Sequence, residues 1–429
     1  MEKTAVSVIV PTRNRCESLT RLLRALDRSE SLPGTFEVIV VDDGSTHGDQ
    51  ASVTRQRWSF PLRLLTQAQA GAAAARNAGA RAAAGEILVF LDDDVEPEGG
   101  LIAAHVRAHA GTDSVVGLGD LPPVVNDTTF FGVILRSWWE AMQGSLRQTG
   151  HRQWYQDLLS GHFSICRARF EQLGGFSEAM RCREDYELGW RALCAGLELR
   201  FVPDAVARHF DSTDLSRACR RKFDEGIADV QLLQRHPQLG RSLPLARMGE
   251  RGRVLRLLTQ LAWMNQTAGD AAVATLTRVL SAYEAARLRT KWKRTLNALL
   301  GYWYARGVAQ ATGTRAKLDA LVAAAPQLEE SAFTLDLAEG LEAAEARLDA
   351  LRPRAVRLRF GPYDVSDIKD VPGAEPLRGA HLRPLLATAL RTEYLRAVAR
   401  AGAVPSALKR AADVEAQVDA GPERGAVAA

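Results

Sequence analysis

Five carboxylates and one arginine are spaced so that chemistry could follow from them. Asp42-Asp43 closes the apolar run Val38-Ile39-Val40-Val41, Asp92-Asp93-Asp94 closes Ile87-Leu88-Val89-Phe90-Leu91, and Arg76 lies between. Carboxylates crowded at one edge repel one another unless a cation or hydrogen-bond donors compensate. Asp92 and Asp94 are two residues apart, so on a continuing strand they point to one side and can face a single divalent cation. Hard oxygen ligands at this spacing suit Mg or Mn on a diphosphate better than zinc. A lone acidic triplet after a strand is about as often a solvated turn. Its meaning therefore depends on what surrounds it.

The surrounding elements alternate. Val6-Ser7-Val8-Ile9-Val10 predicts a buried strand that Pro11 stops, and Leu19, Leu22, Leu23 and Leu26 predict a helix after it. Glu37 to Val41 predicts a second strand, Leu62 to Leu65 a weaker third, and Ile87 to Leu91 a further one. Ala70 to Ala84 reads as a helix ended by Gly85. Strand–helix alternation indicates an α/β fold with a mostly parallel sheet flanked by helices, whose ligands sit beyond the carboxyl ends of the strands. The acidic residues cluster at those ends. Residues 120–160 break the rhythm with Phe130-Phe131 and Trp138-Trp139, read first as a core helix under a long loop and second as an acceptor or membrane contact. Gly161 to Cys166 predicts a strand, Glu184 to Ala195 a helix, and Leu199 to Val202 and Val206 to His209 two short strands.

With 429 residues the chain is long for one domain, and a hydrophobic content of 46% excludes wholesale disorder. A net charge of +4 is too mild to indicate nucleic acid. No apolar run reaches membrane-spanning length, and Met1-Glu2-Lys3-Thr4 leads straight into a strand rather than a signal-peptide core, so a cytoplasmic location is expected. Five scattered cysteines argue against a disulfide framework or a zinc site. Three regions are expected: residues 1–215 as an α/β catalytic domain, 216–312 as a basic helical region with aromatics, and 313–429 as a helix-rich module with a short exposed strand at Val356–Phe360. The last ten residues are expected to fray. Residues 241–310 hold 12 Lys/Arg against 3 Asp/Glu, a local charge of +9, around Trp292 and Tyr302-Trp303-Tyr304. Peripheral attachment to the anionic inner leaflet is one reading of that segment, and solvated basic helix faces over an aromatic core are the other. Homodimerisation through the C-terminal half is a further expectation.

Read together, VSVIVPTRNR (6–15), EVIVVDDGS (37–45), AGAAAARNAGARAAAGEILVFLDDDVEP (70–97), GHFSICRARFEQLGGF (161–176) and REDYELGWRALCAGLELRFVPDAVARHF (183–210) resemble the inverting glycosyltransferases of family 2, with their GT-A fold. The resemblance covers about residues 5–215, and its five motifs in order make it far more specific than any one of them. More weakly, LNALLGYWYARGVAQA (296–311) resembles the helical tails of relatives that build bacterial surface polysaccharides. The resemblance implies a nucleotide-sugar donor, with a UDP-sugar first in line, and a hydroxyl acceptor on a glycan or lipid-linked saccharide. It implies that Pro11, Thr12 and Arg13 form the loop around the nucleobase, with Arg13 where an aromatic is common. Asp43 and Arg76 then serve the base end, and Asp92 and Asp93 the ribose. Asp94 is implied as the ligand of Mn2+ or Mg2+, and His209 as a second one.

The same resemblance implies Glu184-Asp185 as the catalytic pair, with Asp185 the general base. An inverting displacement needs one carboxylate opposite the leaving group, and a helix start favours its ionised form. His162 stands where relatives often carry Asn near the acceptor. Three other readings compete. A phosphohydrolase of the haloacid dehalogenase type would put its nucleophilic Asp on the first strand, and a nucleotidyltransferase would want a glycine-rich loop where the chain has PTRNR. A non-catalytic nucleotide-sugar-binding scaffold would not need both Asp94 and Asp185. A peptide or small natural product remains open as acceptor.

Overall fold

The computed structural model describes residues 5–29, 36–48, 50–250, 253–326 and 333–402; the expected fraying tail lies outside them. The first half runs β1 (Val6–Thr12), α1 (Cys16–Ser29), β2 (Phe36–Asp43), α2 (Gln50–Thr54), β3 (Leu62–Gln67), α3 (Ala72–Ala82), β4 (Ile87–Leu91) and β5 (Val95–Pro97). It continues with α4 (Leu101–Ala108), β6 (Val115–Asp120), α5 (Phe130–Leu146), β7 (His162–Cys166), α6 (Arg167–Gln172), α7 (Glu184–Cys194) and β8 (Glu198–His209). The helices α8 (Leu215–Arg235), α9 (Arg253–Met264), α10 (Gln266–Ala285), α11 (Arg289–Thr312) and α12 (Arg315–Ala323) follow. The last part holds β9 (Thr334–Asp336), α13 (Leu341–Leu351), β10 (Val356–Phe360), β11 (Tyr363–Ile368), α14 (Gly379–Ala387) and α15 (Arg391–Arg400).

Eight strands form one mixed sheet in the order β3-β2-β1-β4-β7-β6-β8-β5. β1 to β4 are mutually parallel, while β7 runs antiparallel to both β4 and β6. Their apolar runs are unbroken because both faces are covered. Val8 and Val10 of β1 pack with Leu19, Leu22 and Leu26 of α1, while Ile9 packs with the alanines of α3 on the other face. Those alanines let α3 come close: a methyl on Gly79 would meet Ile9 Cγ2 at 2.5 Å.

Two expectations about strands change. Pro11 does not end β1, which runs on to Thr12. Pairing to β4 stops at Ile9, so beyond it β1 has a partner on the β2 side alone, and a residue without an N–H is tolerated there. The two short strands around Pro203 are one strand, β8, whose register to β6 shifts between Gly119 and Asp120.

The described residues divide into two compact units. One holds those up to Arg147 and Gln153–Pro326; the other holds Gln148–Arg152 and the described residues beyond Pro326. In the first unit, one apolar core joins Phe131 of α5 and Met180 to Leu232 of α8, Leu296 of α11 and Leu318 of α12. Trp292, Tyr302 and Tyr304 are buried in it, so these aromatics are core and are not offered to a membrane interface. In the second unit Val356–Phe360 is the middle of three strands, β11-β10-β9, rather than an exposed one. Its alternation puts Val356 and Leu358 inside and leaves Arg357 outside. Arg152 joins this unit by donating from Nε to the Glu375 carbonyl (2.6 Å). Among the described residues no helix is long and apolar enough to cross a membrane.

Candidate active site

The acidic turn after β4 is held from both sides by cations. Arg15, just past β1, reaches Asp93 Oδ1 at 2.9 Å and Asp94 Oδ2 at 2.7 Å from one nitrogen. Thr12 Oγ1 donates to Asp93 Oδ2 (2.8 Å). Burial nonetheless pushes the Asp93 carboxyl up to about 6. On the other side Arg76, buried on α3, donates to Asp92 Oδ1 (2.6 Å) and to Glu184 Oε1 (2.9 Å). Burial opposes the charge on Arg76, but Asp92 and Glu184 outweigh it and raise its pKa. Burial also works against charged Asp92, and Arg76 outweighs it, holding that carboxyl below its usual range. One guanidinium thus ties the end of β4 to the first residue of α7.

α7 opens abruptly. Its cap, Arg183, sits in the left-handed region at φ 60°, strained for a residue with a Cβ. An anchor holds it there. Arg183 Nε lies 2.7 Å from Asp229 Oδ1 and Nη2 lies 3.1 Å from Glu225 Oε2, both on α8, and Tyr304 of α11 donates to Asp229 Oδ2 (2.6 Å). The helical extension therefore sets where α7 begins, and with it the position of Asp185. Asp185 accepts from the Tyr186 backbone (2.9 Å) and more weakly from the Ser160 backbone (3.3 Å). Burial outweighs these backbone donors and pushes the Asp185 pKa up, where a helix start alone would lower it, and burial plus the charge of Asp185 does the same to Glu184.

Two cavities meet at Asp185. One, of about 250 Å³, is lined by Asp94, His209, Arg15, Asp92, Asp185 and Ser160. The second, of about 490 Å³, shares Asp92, Trp139, Ser160 and Asp185 and adds Glu184, Trp138, Arg181 and Arg220. Asp94 and Asp185 therefore face a common space. The donor set there fits a divalent cation. Asp94 Oδ1 is buried without a hydrogen-bond partner and lies 3.6 Å from His209 Nε2, and His209 Nδ1 is likewise unpartnered. Among the described residues no group of three or more His, Cys, Asp or Glu is gathered for a metal, so the chain offers two ligands and a diphosphate would have to supply others.

Other expected residues sit apart from these cavities. Asp43 accepts from Gln67 Nε2 (2.8 Å) and from the backbone of Ala70 (2.7 Å) and Gly71 (2.9 Å), so its carboxylate shapes the loop before α3. Pro11 and Thr12 are buried at the strand end, Arg13 is exposed, and neither cavity lining includes Arg13 or Asp43. His162 faces inward at 1% exposure, its Nε2 3.0 Å from His105 Nε2. Its ring therefore packs inside the fold. Sequence reasoning passed over Arg15, although the crowded aspartates demanded a second cation and PTRNR contained it. It also passed over Trp139, whose indole donates to Asp211 Oδ2 (2.8 Å) and meets the His209 ring edge-on at 4.5 Å. The doublet Trp138-Trp139 was the available signal.

Comparison with known proteins follows this geometry. Residues 7–174 match the family model "Glycosyl transferase family 2", a segment that ends before Glu184-Asp185. A pre-mycofactocin glycosyltransferase of Mycobacterium tuberculosis is 31% identical over 239 residues, 54% of this chain and 48% of that one. A validoxylamine A glucosyltransferase of Streptomyces hygroscopicus subsp. limoneus is 29% identical over 269 residues, 54% of this chain and 57% of that one. The chain thus spans about half the length of the curated relatives it matches. Among solved structures, a mannosyltransferase from Pyrobaculum calidifontis aligns over 68% of this chain and 85% of that one, at 20% identity and a TM-score of 0.42. With its strand-end aspartates and its α/β order, the segment 7–174 of this chain is similar to glycosyltransferase family 2.

Proposed function

We propose that this protein transfers a sugar from a nucleoside diphosphate sugar, a UDP-sugar first in line, to a hydroxyl, with inversion at the anomeric carbon. One observation carries the reading: Asp94, His209 and Asp185 line a single cavity. Asp185 takes the proton of the acceptor hydroxyl as its oxygen attacks and the nucleoside diphosphate leaves. Burial suits that task, because a carboxylate with a raised pKa is a stronger base once ionised. Asp92 stays charged beside Arg76, and Arg15 keeps Asp93 and Asp94 together despite their repulsion. A divalent cation, Mn2+ or Mg2+, held by Asp94 and His209 would supply positive charge against the leaving diphosphate. Asp43 and Arg13 belong, in this reading, to the nucleobase end.

The acceptor is a hydroxyl on a glycan or a lipid-linked saccharide. A small natural product is the second reading, favoured by the names of the relatives that act in pre-mycofactocin and validoxylamine A glycosylation. The test needs no acceptor. A panel of nucleotide-sugars is scored for binding and slow hydrolysis, with and without Mn. One donor is expected to bind and hydrolyse in a metal-dependent way. Turnover of a phosphomonoester through a phospho-aspartyl enzyme, with no donor bound, would overturn the assignment.

A further inference from the structure

The cavity beside Asp185 carries more positive charge than the transfer step uses. Three of its arginines are paired inside the protein: Arg76 with Asp92 and Glu184, Arg183 with Asp229 and Glu225, and Arg221 with Glu225. Arg181, Arg217 and Arg220 line the same cavity, are exposed, and make no ion pair among the described residues. Arg220 donates only to Ser216 Oγ (2.8 Å), and Asp224 on the same lining acts on Arg181 at longer range. Their placement is costly. Apart from its cap Asp214, α8 has no acidic residue in its first turn and has Arg217 there, the opposite of what the helix dipole favours. Arg217 then stacks three and four residues ahead of Arg220 and Arg221, so like charges share one face. Glu225 offsets the charge of Arg221, whereas Arg217 and Arg220 have no ion pair among the described residues, and a bound anion would offset their repulsion. Arg181, Arg220 and Trp138 line this cavity and not the one at Asp94 and His209, so they are not explained by the donor diphosphate, whereas Arg217 lines both cavities. Trp138 adds a half-exposed indole, 48% accessible, at the same mouth.

We propose that this cavity takes an acceptor bearing an anionic group, a phosphate or a carboxylate, near the hydroxyl to be glycosylated. Arg181, Arg217 and Arg220 are its counter-charges, and Trp138 is the flat wall against the ring that carries it. The inference rests on the transferase reading above and narrows its acceptor. In the test, the full chain is saturated with nucleoside diphosphate and Mn so that the donor side is filled. It is then titrated calorimetrically with glucose, glucose 6-phosphate and glucuronate. At least one anion is expected to bind about tenfold or more tighter than glucose, as charge-assisted bonds imply. Preference for the phosphate marks a phosphorylated acceptor, and preference for the uronate a carboxylated one.

The Arg181→Ala/Arg220→Ala double variant is expected to lose that preference, and the corresponding double Lys variant to keep it. Equal affinity for all three probes, no binding of either anion, or an unchanged preference in the Ala double variant would overturn the proposal. Donor hydrolysis in the unaltered chain separates the two levels. Hydrolysis without anion preference removes this inference and leaves the transferase reading, while absence of hydrolysis across the donor panel removes that reading itself.

Discussion

Arg76 is the side chain on which the site's electrostatics turn, since it alone contacts both Asp92 and Glu184. Removing one partner of a buried pair leaves the other charge uncompensated and costs about 3–5 kcal/mol. Arg76→Ala is therefore expected to destabilise the protein by that amount in chemical denaturation, and a loss below about 1 kcal/mol would contradict the bridging role. Lys in its place keeps the charge but presents a single point of contact, so an intermediate loss is expected. Asp185 gives a second outcome at this scale. Its base form is the active one and burial raises its pKa above the ordinary 3.8, so turnover must fall as pH drops through that raised value. The acid limb of kcat is expected above 3.8, and a limb at 3.8 would show that burial does not govern this carboxyl.

At the scale of elements, α7 is positioned by helices that lie far along the chain. α8 and α11 approach closely enough that a methyl on Gly226 would overlap the Tyr304 carbonyl, and one on Gly307 the Phe223 carbonyl. Because α8 carries Glu225 and Asp229, spreading this crossing moves the anchor of Arg183. Ala at either position is expected to cost about 1–3 kcal/mol, with turnover falling as well. Gly144 on α5 is the control: a methyl there meets nothing within 4 Å, so Ala should be neutral or stabilising by up to about 1 kcal/mol.

The histidines between α4 and β7 offer another measurement. Burial lowers His109 and His162 to about 4 and His105 well below its ordinary 6.5. All three should stay neutral from pH 8 to about 5.5, with ring resonances that do not titrate in selectively labelled NMR samples. A midpoint near 6.5 for His162 would contradict its burial. His162 also marks where sequence reasoning stopped short. A motif position says which residue is present, not which way a strand turns it, and β7 turns this ring inward.

Across the molecule, what the sequence revealed was what local chemistry dictates. Apolar runs were legible as β1, β2 and β4, and the strand-end clustering of Asp42-Asp43 and of Asp92 to Asp94 followed from the last two. β8 was read as two pieces on either side of Pro203, yet its pairing with β6 reaches Val202 and resumes at Val206, so one irregular strand crosses the proline. The anchoring of Arg183 by Asp229 and Tyr304 was invisible, since contacts between residues so far apart leave no local signature. The basic character of 241–310 was plain, but burial of Trp292 and Tyr302 depends on how α8 to α12 pack. What unites these scales is one cavity that Asp94, His209 and Asp185 line together. Comparing Asp185→Asn with Asp94→Asn on the donor found by the panel tests that arrangement most directly. Asp185→Asn is expected to bind the nucleotide-sugar as the unaltered chain does while losing about 100-fold or more in transfer, and Asp94→Asn to lose the metal-dependent part of binding. Transfer by Asp185→Asn at the unaltered rate would contradict the central claim.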